Sequence, residues 1–464
     1  MANYRGWGVL AAVLLAAAGC VHQDREVAAY RAVLDGHAPA TARPAGRPFG
    51  AGTTLTLGEA LALAARDNEP LAMQGEEYVQ ALIDKDRAFA TFLPSVSLVP
   101  VYFQRETFPR DGLPESLTPF HGFDLPVAGQ ANLFNGFRDT ALLKGSKLAI
   151  EQRRALLLDA QSLLLLEVAQ TYYAVLKAEK AAEVLDSSLA VEERRVREVG
   201  DKLAQGVARE LDLQQARAQA AATRVRLTGA RRAMVAGRAT LAVLIGVPSV
   251  QATLVDRYPT PGQAEELEPL LALAEKHRCD LRAAHSARLA ARQEVDRAVG
   301  QYYPSVSVGA LAFLYKQSWP ADSQFAGVLG AHVPLFDAGR IHADVRTAWS
   351  RYRQSVLAES WLNRQVAAQV EIARADFMTS VQQVGELRTA LAAAESAFRI
   401  ASQSYDQGLA TNLDVLDAQD RLLSARLQLA AEGYQTTVCH LNLLRVTGRL
   451  DGPTAGTAVP PPAG

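Results

Sequence analysis

The sequence contains two copies of one unit of about 200 residues. Pro304 follows Pro94 by 210 positions, and both stand in similar segments, FLPSVS and YYPSVS. Further along, a constant offset of 202 positions relates the two halves without a gap. The pairs at that offset are Leu133-Phe134 with Leu335-Phe336, Gln205-Gly206 with Gln407-Gly408, Leu211-Asp212 with Leu413-Asp414, and Gly246 with Gly448. Matches in constant order and spacing indicate a tandem duplication, with repeats at 55–250 and 251–450.

Each repeat shows the same order of predicted elements: a helix, two strands, a very long helix, a glycine turn and a further helix. Pro94 and Pro304 end the first helices. Ser and Gly alternate with Val and Ala over 305–310, as in a strand with two unlike faces. The predicted bounds are 59–90, 95–103, 124–134, 139–205 and 209–245 in the first repeat, and 265–300, 305–315, 325–336, 341–407 and 411–446 in the second.

The two very long helices determine the predicted shape of the molecule. Neither contains Pro, and 67 helical residues would extend for about 100 Å. Apolar residues recur every seven positions, first from Leu142 to Leu163 and then, in a shifted phase, from Val168 to Leu203. Sustained heptads predict a coiled-coil seam. The two shorter helices of each repeat together have nearly the length of the long one, so they are predicted to lie end to end alongside it.

The N-terminus has the pattern of an export signal. Arg5 precedes an apolar run, and Ala17-Ala18-Gly19-Cys20 gives a small-residue cleavage site. Residues 1–19 resemble a lipoprotein signal, which would make Cys20 the lipidated first residue of the mature chain; a plain secretory signal with Cys20 incidental is the alternative. Val21 fits outer membrane delivery. Composition assigns 20–54 to a linker and 451–464 to a disordered tail.

Composition also disfavours several classes of protein. With 48 Lys plus Arg against 49 Asp plus Glu there is no basic excess for a nucleic-acid partner. The eight His and three Cys form no metal or catalytic motif, so neither an enzyme nor a cofactor other than the covalent lipid is expected, and Cys279 and Cys439 are interpreted as packed thiols. No later stretch has the roughly 20 apolar residues of a transmembrane helix, so strands would have to enter a membrane. The strand pattern fits a small periplasmic hairpin equally well.

The order of elements, repeated after a lipoprotein signal, resembles the TolC family of outer membrane efflux channels over about residues 55–450. The most specific segments are YDQGLATNLDVLDAQ at 405–419 and PLFDAGR at 334–340. The resemblance implies a mainly α protein with a small transmembrane β part. In that family three copies form a 12-strand β-barrel continued by a long α-helical coiled-coil barrel, and four strands per chain require such oligomerisation, since all backbone groups must be paired in lipid.

The resemblance also implies a function and partners. The chain would be a passive trimeric exit duct of a tripartite efflux or type I secretion system, in the outer membrane of a Gram-negative bacterium and extending into the periplasm. Its partners would be outer membrane lipid, a periplasmic membrane-fusion adaptor and an inner membrane pump. The alternative is a pore-free, lipid-anchored periplasmic coiled-coil adaptor or scaffold. Such an adaptor is expected to have one helical hairpin rather than a duplication.

Two groups of site residues follow from the same resemblance. The family presents the helix-to-helix turns to the adaptor, which here correspond to Gln205, Gly206, Val207, Gln407, Gly408 and Leu409. Leu413 and Asp417, four residues apart on one helical face, match positions that close the periplasmic entrance in rings. Three copies of Asp417 would form an acidic collar, because the first repeat has Gln215 at the equivalent position. Asp414 and its repeat partner Asp212 are further gate candidates.

Overall fold

A computed structural model describes residues 23–36, 50, 52–104, 121–318 and 323–450. The predicted export signal, Cys20 and the predicted tail at 451–464 lie outside these residues. Within the described ranges the chain is mainly helical, and its elements follow the predicted order in both repeats. No helix in these ranges is both long enough and apolar enough to cross a membrane.

The described elements fall into an N-terminal helix followed by two similar series. The helices are α1 (Gln23–Asp35), α2 (Leu57–Asp67), α3 (Glu69–Ala90), α4 (Arg138–Ala204), α5 (Glu210–Leu244), α6 (Leu267–His277), α7 (Cys279–Val299), α8 (Arg340–Asp406) and α9 (Asn412–Val446). The strands are β1 (Thr54–Thr56), β2 (Ser95–Leu98), β3 (Val101–Gln104), β4 (His121–Asn135), β5 (Thr253–Val255), β6 (Ser305–Tyr315) and β7 (Phe325–His332).

The long helices α4 and α8 have 67 residues each and begin one residue before their predicted starts. Residues in the left-handed conformation, Phe137 and Gly339, precede them and turn the chain out of the strands. Helix α4 packs along α3 near the strands and along α5 farther down, and α8 packs in the same way along α7 and α9. The predicted arrangement of two shorter helices beside each long one is therefore confirmed.

The helix predicted at 59–90 is two helices, α2 and α3, and its counterpart at 265–300 is likewise α6 and α7. In the first repeat the Asn68 side chain accepts a hydrogen bond from the Leu71 N–H (3.0 Å) and donates one to the Leu244 carbonyl (3.1 Å). In the second, buried Arg278 occupies the same place and donates to the Val446 carbonyl (3.4 Å). The breaks were missed because both residues form contacts with a distant helix end.

Helix α1 lies within the segment that composition assigned to a linker, so that assignment was wrong for 23–35. Its Tyr30 and Leu34 side chains are buried in the main core. The Tyr30 ring packs directly over Gly75 of α3, where a Cβ atom would lie only 2.4 Å from the ring. Because Gly75 has no side chain, the Tyr30 ring can pack against α3, and this contact attaches α1 to it.

The five strands near the ends of the long helices form one antiparallel sheet in the order β2-β4-β6-β7, with β3 also pairing with β4. The strand predicted at 95–103 is divided at Pro100, and the one predicted at 325–336 ends at His332, shortly before Pro334. A parallel pair that the sequence did not predict, β1 with β5, lies apart from this sheet. The pair is joined to the core by the buried Tyr172 side chain, whose hydroxyl donates to the Leu55 carbonyl (2.7 Å).

The lateral order of the helices follows that of the strands. Below the sheet, α3 packs on α4, α4 on α7, and α7 on α8. Farther from the sheet, α5 packs on α4, α4 on α9, and α9 on α8. Apart from α1, which packs on α3 and α4, these elements therefore form one layer with two unlike edges, one containing β2, α3 and α5 and the other containing β7 and α8.

Candidate functional site

The end of the molecule farthest from the sheet consists of two helix-to-helix turns, at 205–209 and 407–411, here called the tip turns. In the first, the Gly206 N–H donates to the Leu203 carbonyl and the Val207 N–H to the Lys202 carbonyl, both at 2.9 Å. The second repeats this pattern at Gly408 and Leu409, at 3.0 and 2.8 Å. These are Schellman motifs, which satisfy the last carbonyls of each long helix.

Conformation rather than crowding requires glycine in these turns. Gly206 and Gly408 have φ of 75° and 72°, and no atom lies within 4 Å of the position a Cβ would occupy at either. The residues that follow, Val207 and Leu409, are 75% and 78% exposed. The six residues predicted to contact an adaptor thus lie in two open turns, each presenting an apolar side chain to solvent.

Leu413 and Asp417 lie one turn apart at the start of α9, as predicted, and Leu413 is exposed. The structure adds a partner that the sequence prediction lacked. The Arg421 guanidinium lies 2.9 Å from the Asp417 carboxylate, one further turn along the same helix. Both side chains are mostly exposed, so this ion pair contributes little stability. It does place a positive charge beside the proposed acidic collar.

Asp212 and Asp414 occupy a different position, as the third residues of α5 and α9. The Asp414 carboxylate accepts hydrogen bonds from the Thr411 hydroxyl and N–H (2.7 and 2.8 Å), forming a capping box. Asp212 accepts in the same way from Arg209, including two guanidinium bonds at 3.0 and 3.1 Å. These hydrogen bonds lower the pKa of both carboxyl groups. The structure therefore gives both aspartates a helix-capping role within the chain.

A contact between the two repeats at the tip was missed by the sequence analysis. The Arg195 guanidinium of α4 lies 4.1 Å from the centre of the Tyr405 ring, at the end of α8, and 3.5 Å from the Asn412 side-chain oxygen. Lys202 lies over the same ring at 4.5 Å. Tyr405 belongs to the segment that carries the resemblance, but its cationic partners are about 200 residues away in the chain. Only folding brings them together.

In the described ranges, no group of three or more His, Cys, Asp or Glu side chains is arranged to hold a metal ion. Cys439 is half-buried next to the Phe377 side chain, and burial raises the pKa of its thiol. The exposed apolar and charged side chains at the tip are suited to contact another protein surface or an ion.

Comparison with known proteins bears on the whole chain. The model of the family described as "Outer membrane efflux protein" matches residues 120–247 and 270–449. The chain is 25% identical over 416 residues to the cobalt-zinc-cadmium resistance protein CzcC of Cupriavidus metallidurans, covering 87% of this chain and 92% of that protein. It is 29% identical over 191 residues to the proteases secretion protein PrtF of Dickeya chrysanthemi, a match spanning 37% of this chain and 40% of that protein.

The fold also matches solved structures. The outer membrane protein VceC of Vibrio cholerae superposes with a TM-score of 0.73 at 23% identity, over 84% of this chain and 96% of that one. The outer membrane channel CmeC of Campylobacter jejuni gives a TM-score of 0.74 at 16% identity, over 85% and 86%. At these identities the likeness concerns the fold.

Proposed function

We propose, from the premise that this chain belongs to the outer membrane efflux protein family, that three copies form the exit duct of a tripartite efflux or type I secretion system. As a member of the family the protein is an outer membrane efflux channel, and it extends from the outer membrane into the periplasm. In this proposal the duct is passive, and an inner membrane pump supplies the energy.

The observation that carries the trimer is the pair of unlike edges. In the described chain, β2 and β7 each pair on one side only, and α3 and α8 continue the same two edges below the sheet. Joining the β7 edge of one copy to the β2 edge of the next is a head-to-tail contact, which generates a ring when the rotation between copies closes. Because β2 and β3 pair with successive parts of β4, they share one position, and each copy supplies four strand positions. The family's twelve-strand barrel therefore requires three copies.

The two helical edges have complementary exposed faces. Charged and apolar side chains share one face of α8, namely Arg346, Arg353, Leu357, Trp361 and Arg364. The exposed face of α3 is mainly acidic and apolar, comprising Glu69, Met73, Glu76, Gln80 and Ile83, with Arg87, paired with Asp84, at its strand end. A basic face opposite an acidic one favours pairing and fixes its register. This charge pattern supports packing of α8 on α3 of the next copy.

The side chains on the two faces also lie at matching distances from the strand ends of their helices. At 1.5 Å per residue, Glu76 lies about 21 Å from the strand end of α3, and Arg353 lies about 20 Å from the strand end of α8. Met73 and Leu357 are both about 25 Å from those ends by the same measure. If the helix ends are level in the ring, Glu76 would pair with Arg353 and Met73 would pack on Leu357.

At the tip, we infer an entrance whose residues have separate roles. Val207 and Leu409, exposed beside the two glycines, offer apolar contacts for the helical hairpin of a periplasmic adaptor. Leu413 and Asp417, on the exposed face at the start of α9, form the rings that narrow the entrance. The Arg195–Tyr405 contact holds the end of α8 against α4 and so keeps the second repeat at the closed position.

Attachment to the membrane uses two anchors in this proposal. A lipid on Cys20 holds the N-terminus at the outer membrane, and a single acyl chain alone binds weakly. The closed sheet supplies the second anchor. Relatives of similar sequence are named for different cargoes, proteases for PrtF and cobalt, zinc and cadmium for CzcC. We therefore place the choice of cargo in the pump that the duct serves.

The test is planar-bilayer conductance of the purified, detergent-solubilised protein, with its mass measured in parallel. We expect a trimer that forms small, cation-selective channels. A monomer or dimer that never conducts, even after the tip is opened by Arg195→Ala, would contradict the duct and favour the pore-free scaffold.

The interface between copies has its own test by charge exchange. Arg353→Glu is expected to reduce the trimeric fraction in mild detergent, because it places two acidic side chains opposite each other. Combining it with Glu76→Arg should restore the trimer, whereas Arg353→Glu with Glu210→Arg, on the exposed start of α5, should not. Equal trimer content in all three variants would show that these faces do not meet.

A further inference from the structure

A cluster of polar side chains is buried inside the first repeat, immediately above the tip. Its centre is Glu192 of α4, whose side chain is 2% exposed. One carboxylate oxygen accepts hydrogen bonds from the Thr223 hydroxyl of α5 (3.0 Å) and the Ser188 hydroxyl (3.3 Å). The other oxygen is buried and has no hydrogen-bond partner. A buried carboxylate with an unpaired oxygen is costly when it is charged.

The second repeat shows that this cluster is not needed to build the helix pair. The positions 202 residues after Ser188, Glu192 and Thr223 are all alanine, at 390, 394 and 425. Helices α8 and α9 nevertheless have the same lengths as α4 and α5. A buried polar cluster with no counterpart in a helix pair of the same lengths points to a role beyond packing.

The charged groups that face Glu192 do not form an ion pair with it. Arg226 of α5 favours its ionised form, but that guanidinium lies 3.2 Å from the Asp420 carboxylate of α9. Asp420 itself disfavours a charge on Glu192. On α4, the Arg195 guanidinium is directed to Tyr405 and Asn412. Each nearby cation thus has a contact elsewhere.

The cluster is connected to the tip through the same helices. Arg195 lies three residues after Glu192 on α4 and contacts the end of α8 and the start of α9. The Asn412 amide donates to the Asp212 carbonyl of α5 (3.3 Å), so α4, α5 and α9 meet at this level. Gln419, two turns farther along α9, is also buried, and its amide nitrogen has no partner. Glu192 therefore lies within one turn of the Arg195 contacts, at the level where these three helices meet above the tip turns.

We propose that Glu192 is a proton-dependent latch of the duct entrance: when protonated it holds α4, α5 and α9 together with the tip closed, and when ionised it loosens them. The inference rests on the proposed function, and it adds a way in which periplasmic pH acts on the entrance. Glu192 is a positioning residue, since it acts through the Arg195 contacts and not on the cargo.

The direction of the effect follows from burial. Desolvation raises the pKa of Glu192 above that of an exposed Glu, and the Thr223 and Ser188 hydrogen bonds oppose this only in part. A group whose pKa is higher in the packed state stabilises that state at low pH, and the contribution is lost as pH rises through the raised value. The entrance is therefore tightest at low pH and loosens as pH rises through the raised pKa of Glu192.

The experiment compares single-channel conductance of the full-length trimer between about pH 8 and about pH 5, above the range in which ordinary carboxylates titrate. Wild type should lose conductance several-fold on acidification. Glu192→Gln, which mimics the protonated side chain, should stay at the low level throughout. The matched control is Glu193→Gln on the next, exposed residue, which pairs with Arg224 (2.6 Å) and should titrate as wild type does.

Hydrogen exchange of residues 405–420 in the detergent-solubilised trimer, over the same pH range, gives a readout that needs no open channel. After correction for intrinsic exchange, protection should rise in acid for wild type and stay constant for Glu192→Gln. A conducting trimer in which Glu192→Gln keeps the wild-type pH profile would overturn the latch and leave the duct standing. A wild type that forms neither trimer nor channel would instead overturn the proposed function.

Discussion

The two repeats have nearly the same backbone and different interiors. Helices α4 and α8 have 67 residues each, and α5 and α9 have 35 each. Toward the tip, however, α4 buries Leu185, Glu192, Arg195 and Val199, whereas no described residue of α8 beyond Ser380 is buried within the chain. At the positions of Glu192 and Arg195 the second repeat has alanine.

The two long helices differ because neighbouring helices cover them to different extents. Helix α4 is covered on both sides, by α5 and α9, and can contain buried polar groups that need fixed partners. The lower half of α8 has α9 on one side, and its other side is the edge of the layer. Small residues there suit close packing on a neighbouring copy. Near the tip, the long helix of the first repeat is therefore packed on both sides, whereas that of the second repeat lies at the edge of the layer.

In one place the repeats remain closely equivalent. Gly246, just after α5, and Gly448, just after α9, have φ of 68° and 70°. A Cβ atom on either would lie 2.6 Å from the Asp67 carbonyl oxygen or 2.8 Å from the His277 carbonyl carbon. Both glycines allow the end of the repeat to approach the break between its first two helices. This close approach, here called the joint of each repeat, is present in both copies, although the residues around it differ.

The largest expected effect is a loss of stability that differs between the buried cores of the two repeats. Phe377 is fully buried in a small cluster of the second repeat, with Leu270, Val370 and Leu443 among its members. Phe377→Ala should lower the free energy of unfolding by about 3–5 kcal/mol. Val175→Ala, at the equivalent position in the larger core of the first repeat, should cost clearly less. Thermal unfolding of the detergent-solubilised protein measures both, and equal losses would show that the cores do not differ in this way.

The next largest effect is the loss of stability expected when the glycine at either joint is replaced. Gly246→Ala and Gly448→Ala each force a left-handed alanine against backbone atoms, and each should cost about 2 kcal/mol or more. Gly206→Ala and Gly408→Ala serve as controls with the same backbone conformation in open space, at about 1 kcal/mol each. The four melting temperatures test the comparison directly. A joint variant that melts like the tip variants would contradict the close approach.

A smaller effect depends on pH. His440 of the second repeat is partly buried, and desolvation, with a contribution from Arg449, lowers its pKa to about 4. Because an unfolded His binds its proton near 6.5, stability should fall as pH drops from about 6.5 toward 4, by on the order of 2 kcal/mol. His440→Gln should remove this loss.

The matched position in the first repeat is Arg238, which pairs with Glu179 (2.6 Å). Arg238→Gln should lower the melting temperature without adding to the loss between pH 6.5 and 4. A wild-type melting temperature that does not change over this interval would show that His440 is not the acid-sensitive group. This effect has the opposite sign to that of Glu192, so the two are separable in one pH series.

The smallest expected effect on stability concerns the collar. Asp417→Ala breaks an exposed ion pair and should change the free energy of unfolding by less than about 1 kcal/mol. It should nevertheless reduce the preference of the channel for cations several-fold, whereas Gln215→Ala in the first repeat should not. Unchanged single-channel conductance and cation preference in Asp417→Ala would rule out the acidic collar.

Much of the fold could be predicted because its signals are local. Heptad spacing and the absence of proline placed the long helices to within one residue, and Gly206 and Gly408 marked their ends. The same local reasoning placed Leu413 and Asp417 on one face. It failed at residues 23–35, where Tyr30 packs on the distant Gly75 and Leu34 lies in the main core. It also failed at the helix breaks, where Asn68 and Arg278 bond to another helix end.

The sequence by itself determined the duplication, the rod-like helices and the glycine turns, since periodicity and turn chemistry depend on neighbours in the chain. Only the tertiary structure decided which side chains meet at the tip. It placed Arg195 on Tyr405, Arg226 on Asp420, and left Glu192 buried without a cation. Burial and electrostatic environment depend on helices that are distant in sequence, and no local pattern records which of them will be neighbours.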